Sequence, residues 1–214
     1  MNVIKADAGF MEVFNGDEIL KKIEKCGRVC YKSEDKITKD SAENFCKKIL
    51  QNGHEAVLEH AGFTAKFICD RGVSHEIVRH RLASYCQEST RYCNYSKDKF
   101  GNEITVIKPC FSEIGMPSYE EWWRACKRAE ISYFELLRLG WTPQEARSVL
   151  PNSLKTEVCM TANIREWRHF FKLRCSKAAH PQMREVATIL LERCVEAMPV
   201  LFDDIFKDLQ NGSL

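Results

Sequence analysis

The chain has no apolar run that approaches the roughly 20 residues needed to cross a bilayer. Its first residues, MNVIKADAGFMEVFNGDE, place acids where a secretion signal has a continuous apolar segment. We therefore expect a cytoplasmic protein that does not associate with membranes. The chain also lacks a large excess of either charge, with 32 basic and 30 acidic residues. Such a small net charge is not that of a protein that coats nucleic acid.

The 11 cysteines do not include a Cys-x-x-Cys pair. Their odd number and their scatter from Cys26 to Cys194 argue against a disulfide framework or a zinc site. Cys26 and Cys30 come closest to a pair, and helical spacing predicts that both lie on a buried helix face. We expect reduced, buried thiols.

Two further kinds of site are missing. There is no Gly-x-Gly-x-x-Gly fingerprint, which excludes a Rossmann dinucleotide site. His54, His60 and His75 do not form a convincing metal-ligand set, because most histidines in a chain of this size are core or surface residues. We expect no metal.

The composition is that of a soluble globular protein, with 44% hydrophobic and 29% charged residues, and 214 residues are enough for one domain with a substantial core. Asp40 and Glu43 predict a capping box, and Ser74 predicts a helix N-cap. Helices and strands are mixed without regular alternation, which predicts a single α+β domain spanning residues 1–214. Periodicity predicts helices from residue 17 and over 40–52, 74–83, 118–139, 143–147, 164–175 and 181–198, and strands over 62–70, 104–109 and 156–164.

The segment RHRLASYCQESTRY, residues 79–92, concentrates arginine and hydroxyl groups. Arginine stays charged and presents a planar fork that matches phosphate oxygens and the carbonyl edges of bases. If residues 74–83 are helical, Glu76 and Arg79 share a face, and Arg81 lies about 200° from Arg79. Because the positive charge is local, it favours a small anionic ligand over a polymer.

Beyond Ala83 we expect a loop whose amides and hydroxyls, from Ser84 and Ser89, cradle a phosphate that Arg91 closes. Two alternatives remain open for the arginine segment. One is a solvated helix face with surface ion pairs, and the other is a helix that reads nucleic acid.

The amino-acid sequence of this segment resembles the signature motif of the flavin-dependent thymidylate synthases. The longer family form is Arg-His-Arg-x-x-Ser-x-Asn-x-x-Ser-x-Arg, and Cys86 stands where the family has asparagine. The other positions match at Arg79, His80, Arg81, Ser84, Ser89 and Arg91.

Further segments resemble the family in the same order along the chain. His54 and the Glu59-His60 pair resemble its His…Glu-His segment, and EARSVLP, with Arg147, resembles its Ala-Arg-x-x-Leu-Pro element. The likeness is strong over residues 50–205 and weak before them. The segment TANIREWRHFFKLRC resembles the family's C-terminal block and contains Asn163, Arg165, His169 and Arg174.

The resemblance implies an enzyme that makes deoxythymidylate from deoxyuridylate (dUMP). It implies 5,10-methylenetetrahydrofolate as the carbon donor, NADPH as the reductant and FAD as the hydride carrier, with NADPH entering through the pocket that folate later occupies. It also implies a homotetramer with active sites at subunit interfaces, and helices around a mainly antiparallel twisted sheet.

The resemblance also implies residue roles. Arg79 would contact both FAD and the nucleotide, and Ala56 could offer the flavin only backbone or packing. The family often has glutamine where Glu76 stands. The implied FAD residues are Arg79, His80, Arg81, Gln87, Asn163, Ile164, Arg165 and His169. The implied dUMP residues are Glu76, Ile77, Val78, Arg79, Gln87, Glu88, Ser89, Thr90, Arg91, Arg147 and Arg174, with Ser89 and Arg91 on the phosphate and Arg147 coming from a neighbouring subunit.

Arg174 is the expected catalytic residue, because a guanidinium at the uracil edge favours negative charge on the ring. If the helix persists, Arg165 and His169 share one face while Arg174 points about 180° from Arg165. This arrangement favours a site built from several chains. Cys110 and Cys86 are not expected to act as nucleophiles, because nothing near Cys110 would activate it and the family works without a cysteine at position 86.

Overall fold

The computed structural model describes residues 1–11 and 15–214 and has an α+β fold. An antiparallel four-stranded sheet has the order β2-β3-β6-β4, and β1 pairs in parallel with β5, with Val3 opposite Val106. The strands are β1 Asn2–Ile4, β2 Asp7–Phe10, β3 Gly62–Asp70, β4 Ala83–Gln87, β5 Thr105–Ile107 and β6 Lys155–Asn163. The helices are α1 Gly16–Val29, α2 Ser41–Gln51, α3 Arg71–Ile77, α4 Pro117–Arg138, α5 Pro143–Ala146, α6 Ile164–Arg174, α7 Pro181–Ala197 and α8 Pro199–Gln210.

Most predicted elements are confirmed where the periodicity is long. In β3 the alternation puts Phe63, Ala65, Phe67 and Cys69 in the core, as a half-buried strand requires. Helix α4 stops just before Gly140, whose φ of +95° lies in the left-handed region that glycine adopts without strain. Among the described residues, none of the helices is both long and apolar enough to span a bilayer.

Two local predictions in the first 50 residues are wrong. Helix α2 does begin after Asp40, but the predicted capping box does not form, and the Ser41 hydroxyl instead accepts from the Thr38 amide and donates to Glu24. Cys30 lies just past the end of α1 and is exposed, and Cys26 is only half-buried. The buried face of α1 is formed by other residues, including Leu20, Ile23 and Gly27.

Four of the helices and strands named above were not predicted. Strands β1 and β2 have only three and four residues, too few for a periodic pattern. Helix α8 follows directly after Met198, where Pro199 prevents α7 from continuing and begins a new helix. Strand β4 begins at Ala83, the last residue of the predicted 74–83 helix, so Ser84 lies in a strand and the loop expected directly after Ala83 is wrong.

Backbone contacts divide the chain into two compact units, and the predicted single domain stays a prediction. The first unit comprises Met1–Asp7, Phe67–Arg79 and Cys86–Val158. Its core contains the buried side chains of Tyr95, Ile104, Val106, Cys126, Tyr133, Ala146 and Leu154.

The second unit comprises Ala8–Lys66, His80–Tyr85 and Cys159–Leu214. Its centre is Trp167, which is fully buried and stacks on Phe63 with ring centroids 4.7 Å apart. Phe170, Phe171 and Phe202 surround this pair in a continuous chain of ring contacts. Aromatic pairs of this kind add stability beyond the area that they bury. They hold α6 in a fixed position against β3 and α8.

Candidate active site

In the first unit, the helix predicted over 74–83 is wrong in position. Helix α3 begins earlier because the Asp70 carboxylate accepts from the Val73 amide at 2.7 Å, which makes Asp70 the N-cap. Ser74 is fully buried inside the helix and donates to the Arg71 carbonyl. The helix ends at Ile77, and Arg79 lies in the turn that follows.

Because α3 ends at Ile77, the predicted placement of Arg79 and Arg81 on one helix is wrong. Arg79 and Arg81 do not lie on opposite faces of one helix, because Arg81 comes after the turn, in the irregular stretch that leads into β4. Along β4, residues 83, 85 and 87 are half-buried and alternate with exposed neighbours, which is the period of two expected of a strand. This alternation was not recognised from the sequence. A helix carrying both arginines into a nucleic-acid groove is therefore excluded.

Four of the predicted nucleotide residues lie at the end of α3. Ile77 is fully buried, so its side chain belongs to the core, whereas Val78 is 39% exposed. Glu76 is half-buried, and its carbonyl accepts from the Arg79 amide at 3.2 Å. The Arg79 side chain is exposed. The turn thus presents Val78 and Arg79 at the surface.

Gln87 and Glu88 are held by neighbouring side chains. The Gln87 side-chain nitrogen donates to Ser74 at 2.9 Å and to Thr156 at 3.3 Å, which joins the end of β4 to α3 and β6. The Glu88 carboxylate accepts from Lys155 at 3.0 Å and from the Tyr95 hydroxyl at 3.3 Å. Both residues therefore brace the segment that follows them.

Ser89 to Arg91 form a turn with its own anchor. The Ser89 carbonyl accepts from the Tyr92 and Cys93 amides at 3.1 Å and 2.9 Å, and its hydroxyl accepts from the Arg91 amide. The buried Thr90 hydroxyl accepts from Arg147 at 3.1 Å. Arg147 and the turn therefore meet within one chain, and a role for Arg147 across a subunit interface stays a prediction.

The cysteines occupy environments that differ in reactivity. Cys46, Cys69 and Cys175 are buried, and burial is the main cause that raises the pKa of each to about 12. These thiols stay protonated at neutral pH and are poor nucleophiles. The expectation of buried thiols is wrong for Cys30, Cys86 and Cys110, which are exposed, and the half-buried ones are Cys26, Cys93 and Cys159.

The second unit contains a cavity of about 610 Å³. Arg165 and His169, four residues apart on α6, both line it, as their shared helix face predicted. Arg165 pairs with Glu59 at 2.5 Å and lies 3.8 Å from Glu55. The rest of the lining is Glu55, Glu59, Leu82, Asn163, Glu166, Arg168 and Lys172.

The start of α6 is fixed by Asn163 and Ile164. The Asn163 side chain accepts from the Glu166 amide at 2.9 Å and caps the helix. Ile164 is fully buried and its amide donates to the Ala61 carbonyl, so its side chain packs in the core. Ala56 is exposed on the short helical segment Glu55–His60, which also carries Glu59 and follows His54.

Arg168 connects α6 to α8. Its guanidinium is 4% exposed and donates to both oxygens of Asp204, at 2.9 Å and 2.6 Å, and to the Leu201 carbonyl. Burial opposes the charge on Asp204, but the hydrogen bonds and the positive charge of Arg168 hold the pKa of this carboxylate below its usual value. The pair anchors the helix that carries the cavity residues.

His80 lies between two charged side chains in the second unit. Its Nδ1 is 3.0 Å from a Glu166 oxygen, and its Nε2 accepts from Arg174 Nε at 3.0 Å. Burial lowers the pKa of His80 below its ordinary value, and Arg174 acts in the same direction, while the hydrogen bond with Glu166 opposes them. His80 is thus neutral at physiological pH.

Arg174 and His169 both approach His80 within one chain. The His80 and His169 rings are 5.7 Å apart, and α6 does extend to Arg174. Helix geometry predicted that Arg174 and Arg165 point in opposite directions, and they do have different partners. Because α6 persists to Arg174, and Arg174 is not among the residues that line the cavity of Arg165 and His169, the geometric reason for a site built from several chains remains, and the oligomer stays a prediction.

Sequence reasoning missed Glu166. It is 7% exposed and lies on the side of α6 that carries Trp167 and Phe170 into the core. A carboxylate on an apolar helix face is the signal that could have found it, because a buried charge requires a partner. The donor atoms of His80, Glu166 and His169 lie within 4.8 Å of one another, a spacing that a metal could use. The expected absence of metal stays a prediction.

Comparison with known proteins places most of the chain in one family. A family model described as "Thymidylate synthase complementing protein" matches residues 14–200. A protein of Pyrococcus abyssi named flavin-dependent thymidylate synthase is 37% identical over 161 residues, which cover 75% of this chain and 65% of that protein. The chain thus spans less than two thirds of this relative's length.

Two bacterial relatives carry the same name and are covered more fully. The protein of Geobacter sulfurreducens is 35% identical over 184 residues, which cover 83% of this chain and 78% of that protein. The protein of Corynebacterium glutamicum is 32% identical over 227 aligned positions, which cover 97% of this chain and 88% of that protein.

Proposed function

The chain belongs to the family of flavin-dependent thymidylate synthases, and we propose that it catalyses the reductive methylation of dUMP to deoxythymidylate. In this proposal 5,10-methylenetetrahydrofolate donates the carbon, NADPH supplies the reducing equivalents and FAD is the resident flavin. The observation that carries the proposal is the contact between His80 of the signature and Arg174, the expected activating residue.

The turn Ser89–Arg91 is suited to the nucleotide phosphate. It follows the braced end of β4, and the exposed Arg91 carries a guanidinium close to the Ser89 hydroxyl, while the amides of Arg91, Tyr92 and Cys93 are held by Ser89. Arg147, which donates to Thr90, adds a second guanidinium at the same turn. Guanidinium groups form strong charge-assisted hydrogen bonds with phosphate oxygens. The turn therefore fixes the position of the pyrimidine ring through its phosphate.

The cavity on α6 is suited to the flavin nucleotide. Arg165 and Lys172 offer cationic donors for a pyrophosphate, His169 adds a ring N–H, and Asn163 sets the start of the helix that carries them. A phosphate group would compete with Glu59 for Arg165, so binding would exchange one ion pair for another. When it is bound, the flavin supplies the hydride for the reductive step.

Arg174 would act on the ring by its charge. A guanidinium beside the uracil edge lowers the energy of negative charge that develops on the ring during attack on the carbon donor. Because the reaction uses this electrostatic effect, it does not require a thiolate attached to the ring.

We also propose a homotetramer with active sites at subunit interfaces, which rests on the family resemblance alone. Light scattering after size-exclusion chromatography tests it: a mass of about four chains supports the proposal, and a monomer at all concentrations contradicts it.

The test of function uses the purified chain with FAD. We expect a yellow protein whose flavin absorbance changes on addition of dUMP, and deoxythymidylate formation that requires both NADPH and methylenetetrahydrofolate. A colourless protein that cannot be loaded with FAD, yet binds oligonucleotides with a steep salt dependence, would favour a nucleic-acid-binding module instead.

A further inference from the structure

Three side chains of the second unit form a continuous hydrogen-bonded row. Glu166 and His80 are 7% and 4% exposed, and the distances from the Glu166 carboxylate to His80 Nδ1 and from His80 Nε2 to Arg174 Nε are both 3.0 Å. Both nitrogens of one buried imidazole are therefore engaged, one by a carboxylate and the other by a guanidinium.

Hydrogen-bond chemistry fixes the direction of this row. Arginine has only donors, so His80 Nε2 must be the acceptor and carries no proton. The one proton of the neutral ring is then on Nδ1 and is donated to Glu166. In the other tautomer, two N–H groups would face each other at the Arg174 contact. Only the first tautomer satisfies all three side chains.

The ring itself is held by contacts that do not involve Glu166. It lies 4.9 Å from the Phe170 ring and 5.7 Å from the His169 ring, and the Tyr85 hydroxyl donates to the His80 carbonyl. These contacts fix where the imidazole sits, but they do not select which nitrogen carries the proton. That selection comes from the two partners together, the carboxylate that accepts from Nδ1 and the guanidinium that donates to Nε2.

We propose that Glu166 is a positioning residue for Arg174, acting through the tautomer of His80. By keeping Nε2 as an acceptor, Glu166 aims the Nε edge of the guanidinium at the imidazole and so sets the direction of the whole planar group. The proposal rests on the proposed function only in that the aimed group is the one that activates the nucleotide. Because Glu166 also lines the cavity proposed for the flavin, the row connects that cavity to Arg174.

The central variant is Glu166→Gln, which keeps the size of the side chain but can donate to Nδ1 as well as accept from it. We expect kcat to fall by about 10- to 100-fold, the usual cost of losing the partner that orients a functional histidine. Bound flavin per chain and the thermal midpoint should stay close to those of the unaltered protein. Glu166→Asp keeps the charge and should recover part of kcat.

The matched control is Glu135→Gln. Glu135 also pairs with an arginine, Arg138, but on the exposed surface of α4. We expect no change in kcat for this control. The proposal is overturned if Glu135→Gln lowers kcat as much as Glu166→Gln does. It is also overturned if kcat of Glu166→Asp is no higher than that of Glu166→Gln.

A second readout separates positioning from packing. The groups that face His80 are Glu166, Arg174, His169 and Tyr85, and the Tyr85 hydroxyl remains protonated because burial, with the charge of Glu166, raises its pKa to about 12. Loss of the Glu166 charge removes the interaction that raises the pKa of His80 and favours its protonated form. The acid limb of the pH–kcat profile should then move to lower pH in Glu166→Gln and stay unchanged in Glu135→Gln. An unmoved acid limb contradicts the proposal.

A third readout does not depend on activity. Solid-state ¹⁵N NMR of histidine-labelled protein, with His80→Gln to assign the signal, reports which nitrogen is protonated. We expect the Nδ1–H tautomer in the unaltered protein and a mixture in Glu166→Gln. An Nε2–H tautomer in the unaltered protein refutes the proposal. An inactive protein that shows the Nδ1–H tautomer refutes the proposed function alone and supports the positioning of Arg174.

Discussion

Replacement of Asp204 by asparagine should reveal how strongly the buried guanidinium of Arg168 joins α6 to α8. Arg168 is 4% exposed and makes two charge-assisted hydrogen bonds to Asp204, which is itself 54% exposed. Since asparagine removes the charge and one acceptor, the buried Arg168 is left with only the Glu55 carboxylate, 3.9 Å from its Nε, as a counter-charge. Solvent screening at the exposed carboxylate reduces the effect, and we expect a loss of about 2 kcal/mol in the free energy of unfolding.

The neighbouring residue provides the control. Asp203 is on the same helix and pairs with Lys207 at 3.8 Å, but the side chains of this pair are 44% and 69% exposed. Asp203→Asn should therefore cost less than about 0.5 kcal/mol. Urea unfolding at fixed protein concentration gives both values, and Asp204→Asn should also lower the thermal midpoint by about 4–8 °C.

The pH dependence gives this prediction a definite sign. The pKa of Asp204 is lowered in the folded chain, so its contribution is complete above the ordinary value of about 3.8 and is lost as the pH falls below it. The difference in stability between the unaltered protein and Asp204→Asn should thus be full at pH 7 and shrink below about pH 4. Equal stability of the two proteins at pH 7 would refute the assignment of Arg168 as an anchor.

The remaining predictions concern the core and the two ligand-binding regions. Trp167→Ala removes the ring that stacks on Phe63 and should cost about 3–5 kcal/mol in unfolding free energy, and a smaller loss in urea unfolding than for Asp204→Asn would contradict the core assignment. Arg91→Ala should raise the dissociation constant for dUMP by about 10- to 100-fold in calorimetry, and an unchanged constant would place the phosphate elsewhere. Arg174→Ala should keep its flavin, measured by absorbance, but lower kcat by about 100- to 1,000-fold; unchanged turnover would remove Arg174 from the mechanism.

The parts of the fold that could be predicted are those with long, regular patterns. The alternation of Phe63, Ala65, Phe67 and Cys69 specifies β3, because a strand with one buried face has a period of two. The spacing of Trp167 and Phe170 within α6 works in the same way at the helical period. Such patterns depend on residues close in sequence, so they can be read directly.

The secondary structure predicted for the arginine segment, residues 79–92, was wrong for a physical reason. Its residues are mostly polar, and a run of charged residues is compatible with an exposed helix or with a loop and a strand. Because Asp70 is the N-cap, α3 begins at Arg71 and not after Ser74 as predicted. Strand β4 has only five residues, too few for its alternation to be recognised. Chemistry of the individual side chains was therefore easier to predict here than the backbone that carries them.

Sequence reasoning proposed a set of site residues, whose roles stay predictions, but it could not predict how those residues are arranged. The contact of Arg174 with His80 joins residues 94 positions apart, and no local pattern contains that information. Glu166 was missed for the same reason, since its role becomes visible only once His80 is beside it. Arg165 and His169, four residues apart on one helix, were the exception.

The most direct test of the account follows the transferred carbon. The purified chain is incubated with FAD, NADPH, dUMP and isotopically labelled methylenetetrahydrofolate, and the nucleotide product is identified by mass spectrometry. The account predicts labelled deoxythymidylate, formed without any covalent bond between the pyrimidine and a cysteine. Failure to form it while flavin and dUMP are both bound, or an obligatory adduct with a thiol, would contradict the central claim.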